Sequence, residues 1–289
     1  MLRRRALSTS AAAALSLLAP TLPAAASVRG ASSGVQPPID DGAAFVDWMA
    51  RQRGEERALL ERRWARYAAL VRNRDLWDER NKRAFLMTPR EHFVLPRNLP
   101  RAYDHAFLDI GWGVTISGPH LVGRMTSVID VRPGERVLEV GTGSGYQAAY
   151  LSQLTDRVWT VEIIQPLAAR TRGIYDALIA RGYAELKAIS SRHSDGYHGW
   201  AEAGPFDKII VTCGIDHIPP PLLQQLKVGG TMVIPVGPPG AQRVLRVAKE
   251  QAAGGAVTVS RSDIYNGRIV PFVPFTKLDG GTIRGTHNR

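Results

Sequence analysis

The residues best spaced for chemistry lie near the middle of the chain. An apolar run, Val137, Leu138, Glu139 and Val140, leads into Gly141, Thr142, Gly143, Ser144 and Gly145 and then into a helical pattern. Such a turn sits at the carboxyl end of a strand, where glycines permit a tight bend and let a ligand lie against the main chain. By itself it is also what a plain β-to-α turn looks like. A dinucleotide-binding turn wants its third glycine at position 146, which is Tyr146, so the spacing favours S-adenosyl-L-methionine over NAD. The next strand pattern ends in Glu162, seventeen positions after Gly145, where a carboxylate can accept from both ribose hydroxyls. The other role open to Glu162 is a cap for the following helix, whose first turn takes Pro166. After a third strand, Ser194, Asp195 and Gly196 offer a side-chain acceptor and backbone groups to an adenine edge, or form an ordinary Asp-Gly turn. Gly-rich turn, acid and Asp-Gly on three successive strand ends make a stronger signal than any one of them.

A second polar cluster, Thr115, Ile116, Ser117, Gly118, Pro119 and His120, precedes the glycine turn. From the residues alone it reads equally as a surface loop with Ser117 capping a helix. No Gly-x-Ser-x-Gly elbow and no Asp-His-Ser context accompany it, which argues against a hydrolase. The seven histidines show no paired ligand spacing, so no metal is expected.

These segments resemble the protein-L-isoaspartate O-methyltransferases. The resemblance rests on VLEVGTGSGYQAA from Val137 to Ala149, TISGPH from Thr115 to His120, PREHFV at 89–94, PFDKIIVT at 205–212 and QLKVGGTMVIPVG at 225–237. It covers roughly residues 81–277. It implies an adenosylmethionine-dependent carboxyl methyltransferase acting on isoaspartyl residues of damaged proteins or peptides, a protein-repair activity. By that resemblance Ser117 takes the position of the family's active-site serine, with Thr115, Ile116 and His120 around the isoaspartyl group. Glu139, Gly141, Gly143, Glu162, Asp195 and Gly196 match its cofactor motifs, with Thr142, Ser144 and Gly145 in the same turn, and Gln242 lies near a late cofactor-contacting glutamine. The chain departs from the pattern at Val114, Gly118, Ser194 and the pair Cys213 and Gly214. An isoaspartyl carboxylate is ionised at neutral pH, with an ordinary pKa of about 4, so the acceptor needs no general base and Ser117 is expected to orient it.

Positioning these groups requires alternating strands and helices, and the chain supplies them from residue 132 onward. Strands are expected at 136–140, 158–162, 187–190, 208–212 and 231–236, with helices at 146–154, 166–181 and 221–226. The pattern predicts an α/β fold, a doubly wound and mostly parallel Rossmann-like sheet. Residues 242–249, 256–260 and 269–272 are expected to add antiparallel edge strands. Upstream, apolar residues from Phe45 to Val71 recur at three- and four-residue intervals. They predict one or two amphipathic helices, interrupted near Gly54 and packed on the main domain.

The expected organisation is a signal peptide at 1–26, a linker at 27–42, a helical extension at 43–80, the methyltransferase domain at 81–277 and a flexible tail at 278–289. The leader has three arginines, an apolar run too short to span a bilayer, and Ala24, Ala25 and Ala26 as a small-residue cleavage site. If it is used the protein is periplasmic or secreted, and otherwise cytoplasmic. Export conflicts with a cofactor made in the cytoplasm. The single cysteine, Cys213, excludes an internal disulfide. A net charge of +11 is spread along the chain with no aromatic-interleaved basic stripe, so no nucleic-acid partner is expected, nor a stable membrane span, and the chain is expected to be a monomer. Two rival functions remain: a methyltransferase of the same fold with another peptide or a small carboxylate as acceptor, and an exported binding protein without turnover.

Overall fold

The computed structural model describes residues 36–274, 278–279 and 282–283. The expected leader and most of the expected linker lie outside the described residues.

Two helices begin the described chain, α1 (Gly42–Arg53) and α2 (Arg57–Arg72). Asp41 caps α1 by accepting from the Ala44 N–H at 3.0 Å, and Gly54 ends it with a φ of 63°, a left-handed conformation suited to glycine. The break expected near Gly54 is thus a cap between two helices. A third helix, α3 (Glu79–Met87), follows, capped by Asp78. Next come a hairpin of β1 (Leu108–Gly111) and β2 (Val114–Ile116), and helix α4 (Pro119–Ile129).

The main sheet then forms. Its parallel strands are β3 (Val137–Val140), β4 (Val158–Glu162), β5 (Ile189–His193), β6 (Phe206–Val211) and β7 (Leu226–Val236). Helices α5 (Tyr146–Leu151), α6 (Gln165–Ala180) and α7 (Pro220–Gln225) connect them. Antiparallel β8 (Arg243–Gln251) and β9 (Val257–Asp263) complete a seven-stranded sheet in the order β5-β4-β3-β6-β7-β8-β9. Strand order reverses at β3, which has β4 on one side and β6 on the other. The crevice at its carboxyl end is therefore the topological switch point of the sheet.

Successive β3 side chains point to opposite faces. Val137 joins a cluster with Phe45, Leu60, Phe85 and Tyr150, whereas Leu138 and Val140 join Ile209, Val211 and Met232 on the other face. The first cluster runs from the N-terminal helices into the sheet without a break. A buried ion network fastens α2 to α3 and the segment that follows it: the fully buried Arg63 donates to Glu55 at 2.6 Å, Glu91 at 2.8 Å, the Tyr103 hydroxyl at 2.7 Å and the Leu86 carbonyl at 2.9 Å.

One expected strand is absent. Residues 269–272 run extended but unpaired in the sheet, tied down by single bonds from the Val270 N–H to the Gln242 carbonyl and from the Phe272 N–H to the Gln242 side chain. Pro271, in the middle of the segment, lacks the N–H group that a ladder would use, and the only nearby bridge among the described residues pairs Pro274, beyond it, with Gly214. In the expected tail, β10 (Leu278–Asp279) pairs with β11 (Thr282–Ile283) as a short hairpin.

Candidate active site

At the end of β3 the chain turns through Gly141 and Gly143, with φ of 95° and 53°. A Cβ on Gly141 would lie 2.5 Å from the Thr212 hydroxyl at the end of β6, so only glycine permits this approach of neighbouring strand ends. Gly145, with φ of 88°, packs where a Cβ would meet Thr171 and Tyr175 of α6 at 2.6 Å. It shapes the turn and does not line the cleft; Gly141, Thr142, Gly143 and Ser144 do.

The acid at the end of β4 is bound to this turn. Glu162 accepts from the Gly143 N–H at 2.7 Å and from the Ile164 N–H at 3.0 Å, one bond to each oxygen. A carboxylate offers about four acceptor positions, so each oxygen keeps capacity for a ligand hydroxyl. Burial nevertheless raises its pKa above the ordinary carboxylate value.

Beneath the turn lies Glu139, fully buried and lining the cleft. Its Oε2 accepts from the Thr160 hydroxyl at 2.5 Å, and that hydroxyl is 2.6 Å from the hydroxyl of Thr142. Its Oε1 is buried with no hydrogen-bond partner in the protein. Burial pushes the carboxyl up to about 8, so it is protonated at neutral pH.

The other wall is built by the hairpin. Thr115, Ile116 and Ser117 line the same cleft as the glycine turn, together with Phe107 and Val114. Helix α4 takes Gly118, not Ser117, as its N-cap, which leaves Ser117 at the cleft. Arg90 fixes this segment. It is fully buried, donates from Nη2 to the Ser117 carbonyl and from Nε to the Ala102 carbonyl, both at 2.7 Å, and lies 4.7 Å from the ring centre of Tyr146. Burial lowers its pKa to about 10, so it stays charged at neutral pH.

Three expected site residues stand elsewhere. His120, in the first turn of α4, stacks on His105 at 3.6 Å between ring centres and does not line the cleft. Gln242 is buried beside Gly214; its side chain accepts from the Phe272 N–H at 3.1 Å, so it reaches the cleft only through Phe272. Asp195 accepts from the Tyr197 N–H at 2.9 Å as the cap of a short helical turn, while its neighbour Gly196 lines the cleft. Sequence reasoning did not single out Tyr146, Gln147, Ile163, Cys213 or Phe272, which also line it. Their apolar or amide character marks core as readily as site. Among the described residues no group of three His, Cys, Asp or Glu could hold a metal, and no helix is long and apolar enough to cross a membrane.

Residues 67–278 match the family of protein-L-isoaspartate(D-aspartate) O-methyltransferases. The chain belongs to this family. A protein-L-isoaspartate O-methyltransferase 2 of Polaromonas sp. is 46% identical over 199 residues, covering 69% of this chain and 89% of that one. A protein-L-isoaspartate O-methyltransferase of Anaeromyxobacter dehalogenans is 45% identical, covering 70% and 91%. Among solved structures, that of a Plasmodium falciparum protein-L-isoaspartate O-methyltransferase in complex with S-adenosyl-L-homocysteine superposes with a TM-score of 0.60 at 23% identity, over 73% of this chain and 96% of that one, and shows the shared fold. The family match begins at Tyr67, within α2, so Glu55 and Arg63 of the buried ion network precede it while Glu91 and Tyr103 lie inside it.

Proposed function

We propose that this chain is an adenosylmethionine-dependent carboxyl O-methyltransferase acting on L-isoaspartyl residues of damaged proteins or peptides. One observation carries the reading: a single cleft is lined both by the Gly141 to Ser144 turn with Glu162 and by Thr115 to Ser117. Donor and acceptor can therefore meet in one enclosure.

The residues present fit the cofactor. Glu162 has acceptor capacity left for ribose hydroxyls, the bare backbone at Gly143 leaves room for a close ligand, and Gly196 lines the same space. The unpartnered Oε1 of Glu139 is a buried polar atom at the cleft, suited to a polar group of a ligand. When bound, S-adenosyl-L-methionine supplies an electrophilic methyl on a sulfonium. The protein's part is to align the acceptor and exclude water. Ser117 donates a hydrogen bond to the acceptor carboxylate or its neighbouring main chain, Thr115 supports it, and Arg90 holds the segment through the Ser117 carbonyl. Ile116, Phe107 and Phe272 keep the cleft apolar. Alignment of this kind is worth on the order of 7 to 11 kcal/mol in favourable cases. His120 and Gln242 act through the residues they pack against.

The reading extends to a monomer without a nucleic-acid partner. Residues 1–26 act as an export leader if used, giving a periplasmic or secreted protein, and the protein is cytoplasmic otherwise. A panel of isoaspartyl peptides with unrelated flanking sequences tests the acceptor. A repair enzyme methylates most of them; methylation of one sequence only, or of free small carboxylates, favours the rival acceptor, and cofactor binding without transfer favours a binding protein.

A further inference from the structure

We propose that Gly118, His105 and His120 form a positioning set for acceptor recognition, holding Phe107 in place at the mouth of the cleft. The inference rests on the acceptor reading above. Phe107 is 37% exposed and lines the cleft beside Ser117, so its ring is placed to touch whatever chain segment carries the acceptor. Behind it stands His120, whose ring meets Phe107 edge to face, with centres 6.3 Å apart and planes at 87°. His120 is in turn held by His105, with ring planes only 7° apart.

Gly118 makes this arrangement possible. Its backbone, with φ of −60° and ψ of 147°, is open to any residue. A Cβ there would lie 2.6 Å from Cε1 and 2.8 Å from Nδ1 of His120, and 3.3 Å from the Ala106 carbonyl. A methyl group at 118 and the stacked His120 ring therefore cannot coexist without displacement. The Nδ1 of His120 is buried with no hydrogen-bond partner, so packing and not hydrogen bonding at that atom holds the ring. Burial and the nearby His105, Arg268, Arg66 and Arg90 push His120 down to about 4, so the ring is neutral at working pH. Two contacts thus run from a glycine without a side chain through His120 to an aromatic ring at the cleft, with His105 bracing His120 from the side.

The test is steady-state methylation of an isoaspartyl peptide by the full chain and by His105→Ala, His105→Phe and Gly118→Ala, with adenosylmethionine affinity measured in parallel. His105 is exposed, so its variants fold. Aromatic pairs of this kind support an effect of about two- to tenfold. The expected result is that His105→Ala and Gly118→Ala raise the peptide KM by that factor with cofactor affinity unchanged, while His105→Phe, which keeps a flat ring to stack on, restores the wild-type KM. Wild-type KM in both His105→Ala and Gly118→Ala overturns the proposal, as does a His105→Phe variant no better than His105→Ala. A wild-type protein silent toward every isoaspartyl peptide defeats the functional reading and takes the proposal with it; an active wild type with unaffected variants defeats the proposal alone.

Discussion

The main-chain N–H of Gly143 donates to Oε2 of Glu162 at 2.7 Å, so the turn that ends one strand and the acid that ends the next form a single unit. Replacing Glu162 by Ala removes the proposed ribose acceptor and the partner of two part-buried amides together. Hydrogen bonds to charged groups are worth about 1.5 to 3 kcal/mol, so adenosylmethionine affinity is expected to fall roughly 10- to 100-fold. Titration calorimetry checks this, and wild-type affinity in Glu162→Ala would remove Glu162 from the cofactor site.

Glu139 leads to a pH prediction. Its folded pKa of about 8 exceeds the ordinary carboxyl value of 4.5 through burial. Between those pH values the folded protein keeps a proton that the unfolded chain has released, so this group's contribution to stability falls as pH rises, by up to about 1.4 kcal/mol per pH unit. Glu139→Gln keeps the neutral shape and cannot ionise. Denaturant melts at pH 5.5 and 8 are expected to show a smaller loss in the variant than in the wild type. Equal losses would mean that Glu139 is not held neutral.

Ser117→Ala removes a hydroxyl at the acceptor wall and leaves the Arg90 bond to the Ser117 carbonyl intact. Methyl transfer is expected to fall about tenfold in kcat/KM, the value of one hydrogen bond to a charged group, with cofactor affinity unchanged. Parallel kinetics and calorimetry separate the two. Equal losses in both would move Ser117 to the cofactor side.

Arg63→Ala strands Glu55 and Glu91, whose side chains are each 4% exposed. Breaking a buried pair by removing one partner costs about 3 to 5 kcal/mol. Chemical denaturation is expected to show a loss of that size. A loss under 1 kcal/mol would indicate that α2 is not fastened to the segment carrying Glu91 and Tyr103 through this network.

The parts of this fold that sequence reading captured are those set locally. The strand carrying Val137 to Val140 is buried on both faces because it lies inside the sheet, which its near-continuous apolar run, broken only by Glu139, makes legible, and the positive φ at Gly141 and Gly143 is a property of glycine itself. The placement of His120 is different. It depends on the absence of a side chain at Gly118 and on a stacking partner fifteen positions earlier, neither of which marks His120 in the sequence. The same holds for Gln242, whose side chain is engaged by Phe272. The unformed strand at 269–272 differs, because Pro271 stands in the sequence and outweighs the apolar run. Arg90 stood within a matched motif, but only the tertiary structure shows its guanidinium on the Ser117 carbonyl.

On the proposed function, this cleft moves a methyl group to an isoaspartyl carboxylate. The most direct test incubates protein lacking residues 1–26 with methyl-labelled adenosylmethionine and one peptide in two forms, isoaspartyl and aspartyl. Base-labile label is expected on the isoaspartyl form alone. Label on both forms alike, or on neither while the cofactor still binds, would contradict it.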